Sequence, residues 1–322
     1  MGSDGEPLMG GRSQSSVVME RRRVLRLGAA GAASLLAACG EPEQARETSP
    51  SADASAGGAS RTTAAGASDD ALTTGPAATA SPAAVPSRED IVQRYAEHAP
   101  VTFGLDVPGV VLRHPGTGVA LTFDLCGGPQ GDKLDHELWE LLHGQRIAST
   151  FFVNSRWLEA NPSLAQELGA DPLIEIANHG HEHRPLTVDG RAAYGIGGTP
   201  DVGAAYDEVA APVAALDDVG GTAPSWFRSG TAHVDDVGVR IAEALGQRVV
   251  NFSINGDGGA TFGAQQVSTE VGRAGDGDIV IAHANRPGSG TAPGLALALP
   301  PMRDRGVTFV RLADVLPSAR PS

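Results

Sequence analysis

The chain has 322 residues and a formal net charge of -14, with 24 Lys and Arg against 38 Asp and Glu. No dense basic stripe is present to replace phosphate counterions, which argues against a nucleic-acid-binding surface. The length exceeds one typical domain without clearly reaching three, so a folded domain with appended segments is expected.

Basic residues concentrate near the start, in Arg21-Arg22-Arg23-Val24-Leu25-Arg26, and are followed by a small-residue apolar run over 27–38 that ends at Cys39. A positive stretch before a short apolar one is the pattern of an export signal rather than a stable membrane span. Leu36-Ala37-Ala38-Cys39 resembles a bacterial lipobox, in which the Cys becomes the lipidated first residue, and the paired arginines resemble a twin-arginine signal. Residues 1–39 therefore read as an export signal, with Met19 a candidate true start because 1–18 are polar and unpatterned. The expectation is a protein exported by the twin-arginine route and held in the bacterial cell envelope by lipid on Cys39. Cys126 is then the one remaining thiol, and the mature monomer has no internal disulfide.

Residues 40–86 are nearly all Ala, Ser, Thr, Gly and Pro with scattered charges. Such a segment buries too little apolar surface to offset its ordering entropy, and reads as a disordered tether. The folded domain is placed at 87–320. Its pattern predicts a short helix from Arg88, a strand over 119–123, and a helix carrying Leu134, Leu138, Leu141 and Leu142. A strand over 149–153 follows, then a helix with Pro162 in its first turn capped by Asn161. Further strands are expected at 173–176, 249–252, 278–282 and 307–310, and helices at 202–216 and 237–245. Strands separated by helices imply a parallel sheet, and this many units favours a closed or distorted barrel over an open sheet.

In such a fold, chemistry gathers where strand ends feed loops. Asp124 stands at one such end, ahead of Gly127 and Gly128, which permit a sharp turn close to a ligand. After strand 173–176 comes Asn178-His179-Gly180-His181-Glu182-His183. One helical turn would bring the imidazoles at 179 and 183 to the same side, a pair that suits Zn²⁺ or another borderline divalent ion. His181 lies off that face and reads as a bystander. The order is not the His-Glu-x-x-His of a zincin, since Glu182 does not follow His179 directly. Arg228, if buried, needs a carboxylate. Asp257 offers another acid after a strand, and His283 ends strand 278–282, where it could be a metal ligand, a proton donor or an interior residue.

Taken in order, these segments resemble the NodB-like polysaccharide deacetylases, carbohydrate esterase family 4, over 118–315. The opening Thr-Phe-Asp-Asp-Gly motif is matched in its first three residues by Thr122-Phe123-Asp124-Leu125-Cys126. The resemblance implies a distorted, incomplete (β/α) barrel and a metal-dependent hydrolase that removes N-acetyl groups from an envelope or extracellular polysaccharide, releasing acetate. It further implies Asp124 as general base, His179 and His183 as metal ligands, Arg228 as the residue orienting the base, His283 as general acid and Asp257 as its orienting carboxylate. The aromatic and proline residues that usually follow the Arg are absent.

The main departure is Leu125, where the family has its metal-binding second Asp. If the strand continues past Asp124, alternation turns Leu125 into packing and projects Asp124 and Cys126 to one side. The missing ligand could then be Asp124 itself, a Cys126 thiolate giving a Cys-His-His site with one open position, or Asp135 returned by the loop over 127–131; Cys126 could also be a small packed residue. Zn²⁺ is the expected metal, an acetylated polysaccharide the expected partner, and a monomer the expected state. Trp157 is the expected groove residue. The alternatives are an inactive glycan-binding lipoprotein, an O-deacetylase and a non-sugar amidase.

Overall fold

The computed structural model describes residues 85–318. The export signal, Met19, the lipidation site Cys39 and nearly all of the tether lie outside the described residues. Within them, no helix is long and apolar enough to cross a membrane.

The domain opens with α1 (Arg88–Tyr95), started by a capping box in which Ser87 Oγ accepts from Asp90 N and the Asp90 carboxylate accepts from Ser87 N. Then come β1 (Phe103–Gly104), β2 (Ala120–Leu125), α2 (His136–Gly144), β3 (Ser149–Val153), α3 (Ser155–Ala160), α4 (Pro162–Ala170) and β4 (Ile174–Asn178). The middle of the chain supplies α5 (Val202–Ala210), α6 (Val213–Gly220), β5 (Trp226–Phe227), β6 (Val234–Asp235), α7 (Asp236–Ala244), β7 (Arg248–Val249) and β8 (Ile254–Asn255). The last elements are α8 (Ala264–Gly272), β9 (Ile279–His283), α9 (Thr291–Asp304) and α10 (Leu312–Val315).

Seven strands form one parallel sheet in the order β7-β5-β4-β3-β2-β9-β8. The edge strands β7 and β8 do not pair, so the sheet is open and curled: an incomplete, distorted (β/α) barrel. Helices cover it, and β2 and β3 are buried at every residue, as central parallel strands must be. Register aligns the carboxyl ends: Asp124 lies opposite Phe152 on one side and His283 on the other, and Asn178 lies opposite Phe227. That alignment delivers residues 124–126, 179, 228 and 283 to one end of the sheet.

Three of the expected elements differ from the pattern-based expectation, and one helix was not expected. The helix expected over 202–216 breaks into α5 and α6 at Pro212, which lacks the N–H and crowds the preceding turn. The strand expected at 307–310 contributes only a bridge, Val119 to Phe309. That at 249–252 shortens, because only Arg248 and Val249 register with β5. Helix α9, which carries Pro300 and Pro301, was not expected; it persists because Leu295, Ala298, Leu299 and Met302 are buried in the core.

Candidate metal centre and active site

At the end of β2 the side chains alternate as a strand requires. Leu125 is fully buried in the main core cluster, while Asp124 and Cys126 turn to the opposite side. Beyond them Gly127 has φ 66°, and a Cβ there would lie 2.4 Å from the backbone N of Trp157, so only glycine lets the loop pass.

Asp124 is buried and meets Arg228, which follows β5 and is itself fully buried. Arg228 donates from Nη1 to Asp124 Oδ1 (2.8 Å), from Nε to Val250 O (3.0 Å) and from Nη2 to Asn251 O (3.0 Å), and its guanidinium lies 4.0 Å from the centre of the Phe152 ring. A buried cation is tolerated because every face of it is matched. Burial pushes the Asp124 carboxyl up, but the charges of His179, Arg228 and His283 outweigh it and hold it below its ordinary value.

His179 follows β4 directly. Its Nδ1 donates to Arg228 O (3.0 Å), which assigns the lone pair to Nε2. Nε2 lies 3.7 Å from Cys126 Sγ and 3.5 Å from Asp124 Oδ2. His183 reaches the same place by a loop and not by the helical turn that its spacing suggested. Gly180 and His183 both have left-handed backbone, φ 80° and 64°, which curls the segment back. The two rings meet edge-on with centroids 4.9 Å apart, and His183 Nε2 is buried without a protein partner. His181 instead lines a separate cavity of about 250 Å³ behind the loop.

One donor atom each from Cys126, His179 and His183 lie within 4.8 Å of one another. Ligands at about 2.3 Å (S) and 2.0–2.1 Å (N) in a tetrahedron stand about 3.6 Å apart, so the 3.7 Å between Cys126 and His179 fits a shared divalent ion. Burial pushes the Cys126 thiol up, but the surrounding imidazoles of His179, His183 and His283 more than reverse this and hold it well below its ordinary value, which favours the thiolate. Among the described residues no other group of three such donors converges in this way.

The third member of this cluster is Cys126; Asp124, whose Oδ2 stands 3.5 Å from His179 Nε2, and Asp135 are not part of it. Asp124 has Oδ1 committed to Arg228, and Asp135 caps α2, its Oδ1 accepting from Leu138 N (3.2 Å). Trp157, expected in the groove, is fully buried, and its indole N–H donates to Lys133 O (2.9 Å); it is a packing residue that offers no face to a ligand.

On the other side of Cys126 stands His283, at the end of β9. Its Nδ1 pairs with Asp257 Oδ1 (2.9 Å), and Asp257 Oδ2 accepts from His283 N (2.7 Å) and Thr291 Oγ1 (2.9 Å). Burial pushes His283 down, but Asp257 and Cys126 raise it well above its ordinary value.

Two further residues were missed from sequence. Thr291 steadies Asp257 and carried no signal of its own. Glu208, on α5, is 2% exposed; Oε2 accepts from Glu182 N (2.8 Å) and Oε1 from Arg184 N (3.2 Å), so it grips the loop on both sides of His183. A carboxylate inside the buried stripe Ala205, Glu208, Val209 was the available signal. A cavity of about 480 Å³ opens in front of the site, lined by Asp124, His183 and His283 together with Tyr194, Phe252 and Asn255, among others.

Residues 113–250 match the family model described as polysaccharide deacetylase; the match takes in Asp124, Cys126, His179, His183 and Arg228 and stops short of Asp257 and His283. No curated protein matches the sequence. Among solved structures, the chain is similar to the Bc1960 peptidoglycan N-acetylglucosamine deacetylase, at 19% identity and TM-score 0.55, covering 66% of this chain and 95% of that one. It is also similar to PdaA of Bacillus subtilis, a family 4 carbohydrate esterase, at 18% identity and TM-score 0.52, covering 73% and 91%. A third similar structure is BA3943 of Bacillus anthracis, described as a CE4 family pseudoenzyme, at 18% identity and TM-score 0.54, covering 66% and 70%. At such identities the likeness shows the fold. The family-level match and the Cys-His-His cluster together support metal-dependent, deacetylase-type hydrolytic activity.

Proposed function

We propose that this chain is a metal-dependent deacetylase that removes N-acetyl groups from a polysaccharide of the bacterial envelope and releases acetate. One observation carries the reading: the Cys126–His179–His183 cluster lies between two independently braced proton-transfer groups, Asp124 on Arg228 and His283 on Asp257. A fold kept only for binding has no chemical use for both.

Cys126, His179 and His183 would hold the ion, and a thiolate with two imidazoles favours Zn²⁺. When bound, it supplies Lewis acidity toward an acyl carbonyl and a lowered pKa for water. Asp124 is kept ionised with Oδ1 occupied by Arg228, so Oδ2 is the atom that accepts the proton from attacking water. His283 is kept protonated, and because Nδ1 is taken by Asp257, the proton it delivers to the departing amine nitrogen is the one on Nε2.

Under the same proposal the chain is exported by a twin-arginine signal and anchored through lipid on Cys39, which brings the enzyme to envelope glycan. An inactive glycan-binding lipoprotein is the second reading, because one similar structure is described as a pseudoenzyme. Acetate release from N-acetylglucosamine oligomers separates the two: release lost to a chelator and restored by Zn²⁺ is expected. Metal demonstrably bound with no release from any N-acetylated glycan would sink the proposal. Activity that survives full metal removal yet is lost on alkylation of Cys126 would replace the metal by a cysteine nucleophile.

A further inference from the structure

Across the cavity from the proton-transfer groups the chain makes a tight hairpin. Ala193 and Ile196 exchange both backbone hydrogen bonds (3.0 and 2.9 Å), and the two residues between them, Tyr194 and Gly195, have φ of 53° and 77°. Positive φ at both central residues is the type I′ pattern, which favours Asn or Gly and disfavours a bulky aromatic. Burial does not offset this, since Tyr194 is 77% exposed.

The ring is nevertheless held. Tyr194 meets His233 edge to face, centroids 5.0 Å apart at 88°; His233 in turn rests on Phe103 at 5.6 Å and is fixed through Nδ1 to Thr231 O (2.8 Å). One contact braces the aromatic while most of its surface stays open, beside a cavity that also contains Asp124, His183 and His283. That cavity is lined by no Lys or Arg. Nearby Arg191 is engaged by Asp189 Oδ2 (2.8 Å) and Pro100 O, and lies over Phe103. Among the described residues no unpaired Lys or Arg therefore lines this cavity to meet a carboxylate or sulfate on the substrate.

We infer that Tyr194 is the stacking platform of a sugar subsite next to the reacting acetyl group, and that this subsite takes an uncharged N-acetylhexosamine unit. The inference rests on the deacetylase reading and gives it a substrate class. An aromatic ring braced at a pocket mouth binds the C–H face of a pyranose at a smaller ordering cost than a side chain with no contact at all.

The test uses the Zn²⁺-loaded full chain and the N-acetylglucosamine tetramer. Tyr194→Ala is expected to raise KM roughly ten- to thirtyfold with kcat within about twofold and Zn²⁺ affinity unchanged, while Tyr194→Phe behaves as wild type because the ring and not the hydroxyl makes the contact. A KM for Tyr194→Ala within twofold of wild type, or a Tyr194→Phe variant as impaired as Tyr194→Ala, would overturn the inference. If the wild type releases no acetate, the deacetylase reading fails separately, and calorimetric titration of the same tetramer still decides on Tyr194. Binding weakened at least tenfold in Tyr194→Ala supports the platform; equal binding, or none by the wild type, removes it.

Discussion

Replacing Glu208 by Gln tests how a loop with left-handed backbone is made to present a metal ligand. The Glu208 carboxylate accepts the N–H groups of Glu182 and Arg184, the residues flanking His183, whose φ is 64°. Gln retains one acceptor oxygen, and its NH₂ must face the other backbone N–H, so one charge-assisted bond becomes a donor–donor contact. A hydrogen bond to a charged group contributes about 1.5–3 kcal/mol, and an unsatisfied buried donor costs a similar amount. Part of this is offset, because burial pushes the Glu208 carboxyl up and a neutral amide escapes that desolvation. The net expectation is about 1.5–3 kcal/mol of lost loop order, which metal binding has to restore, giving roughly ten- to hundredfold weaker Zn²⁺ affinity. Competition against a chromophoric chelator measures this directly, and the melting temperature of the metal-free protein should move proportionately less. Glu208→Gln with a Zn²⁺ affinity within twofold of wild type would refute the claim that Glu208 positions His183.

The other expectations are simpler. Cys126→Ser should weaken Zn²⁺ binding at least about a hundredfold, whereas Asp124→Asn should keep Zn²⁺ affinity and lose roughly 10²–10⁴ in turnover; the reverse pattern, read by metal titration beside acetate release, would make Asp124 the ligand. Burial pushes the His114 imidazole down, and neither ring nitrogen has a partner at bonding geometry, so the unfolded chain takes up that proton first as pH falls. Stability present above the unfolded value of about 6.5 should therefore decline as pH drops from there toward the lower folded value; His114→Leu should flatten melting temperature against pH in that window, and an unchanged slope would contradict it. Cys39→Ala should move the protein out of the detergent phase on partitioning, and unaltered membrane association would end the lipobox proposal.

The β2 and β3 strands were legible because parallel strands buried on both faces read as nearly continuous apolar runs, as Val119-Ala120-Leu121-Thr122-Phe123 and Phe151-Phe152-Val153 do. Strand alternation at 124–126 was equally legible, since it depends only on the pleat. The path of the His loop was not: two imidazoles four residues apart fit a helical turn, and nothing local announces that His183 takes positive φ when the group enforcing it, Glu208, lies 25 residues away on α5. The groove failed for a related reason. Trp157 looked like a sugar-stacking residue from type and position, but its indole N–H finds Lys133 O and its ring fills the core, whereas the exposed aromatic, Tyr194, sits in a turn whose composition gives no hint of the cavity it faces.

Position 125 is not where the chain can present a donor to the site, and position 126 is. A residue at 125 that stays in strand register packs into the core, where Leu is at home and a carboxylate would need a partner. A donor at 126 stands just beyond the last β2 residue, free of the ladder, provided the next residues can turn at once; Gly127 and Gly128, with φ of 66° and 75°, supply that turn. The Cys126 carbonyl then accepts from Arg156 Nη2 (3.1 Å), which fixes the new corner from outside. A sulfur donor also narrows the choice of ion, since thiolate binds Zn²⁺ well and Mg²⁺ or Ca²⁺ poorly. Zn²⁺ should accordingly compete effectively against a large excess of Mg²⁺ at this site, and Cys126→Asp should erode that preference more than it erodes Zn²⁺ binding itself. Equal selectivity in wild type and Cys126→Asp, measured by competitive metal titration, would mean that the two histidines alone define the site.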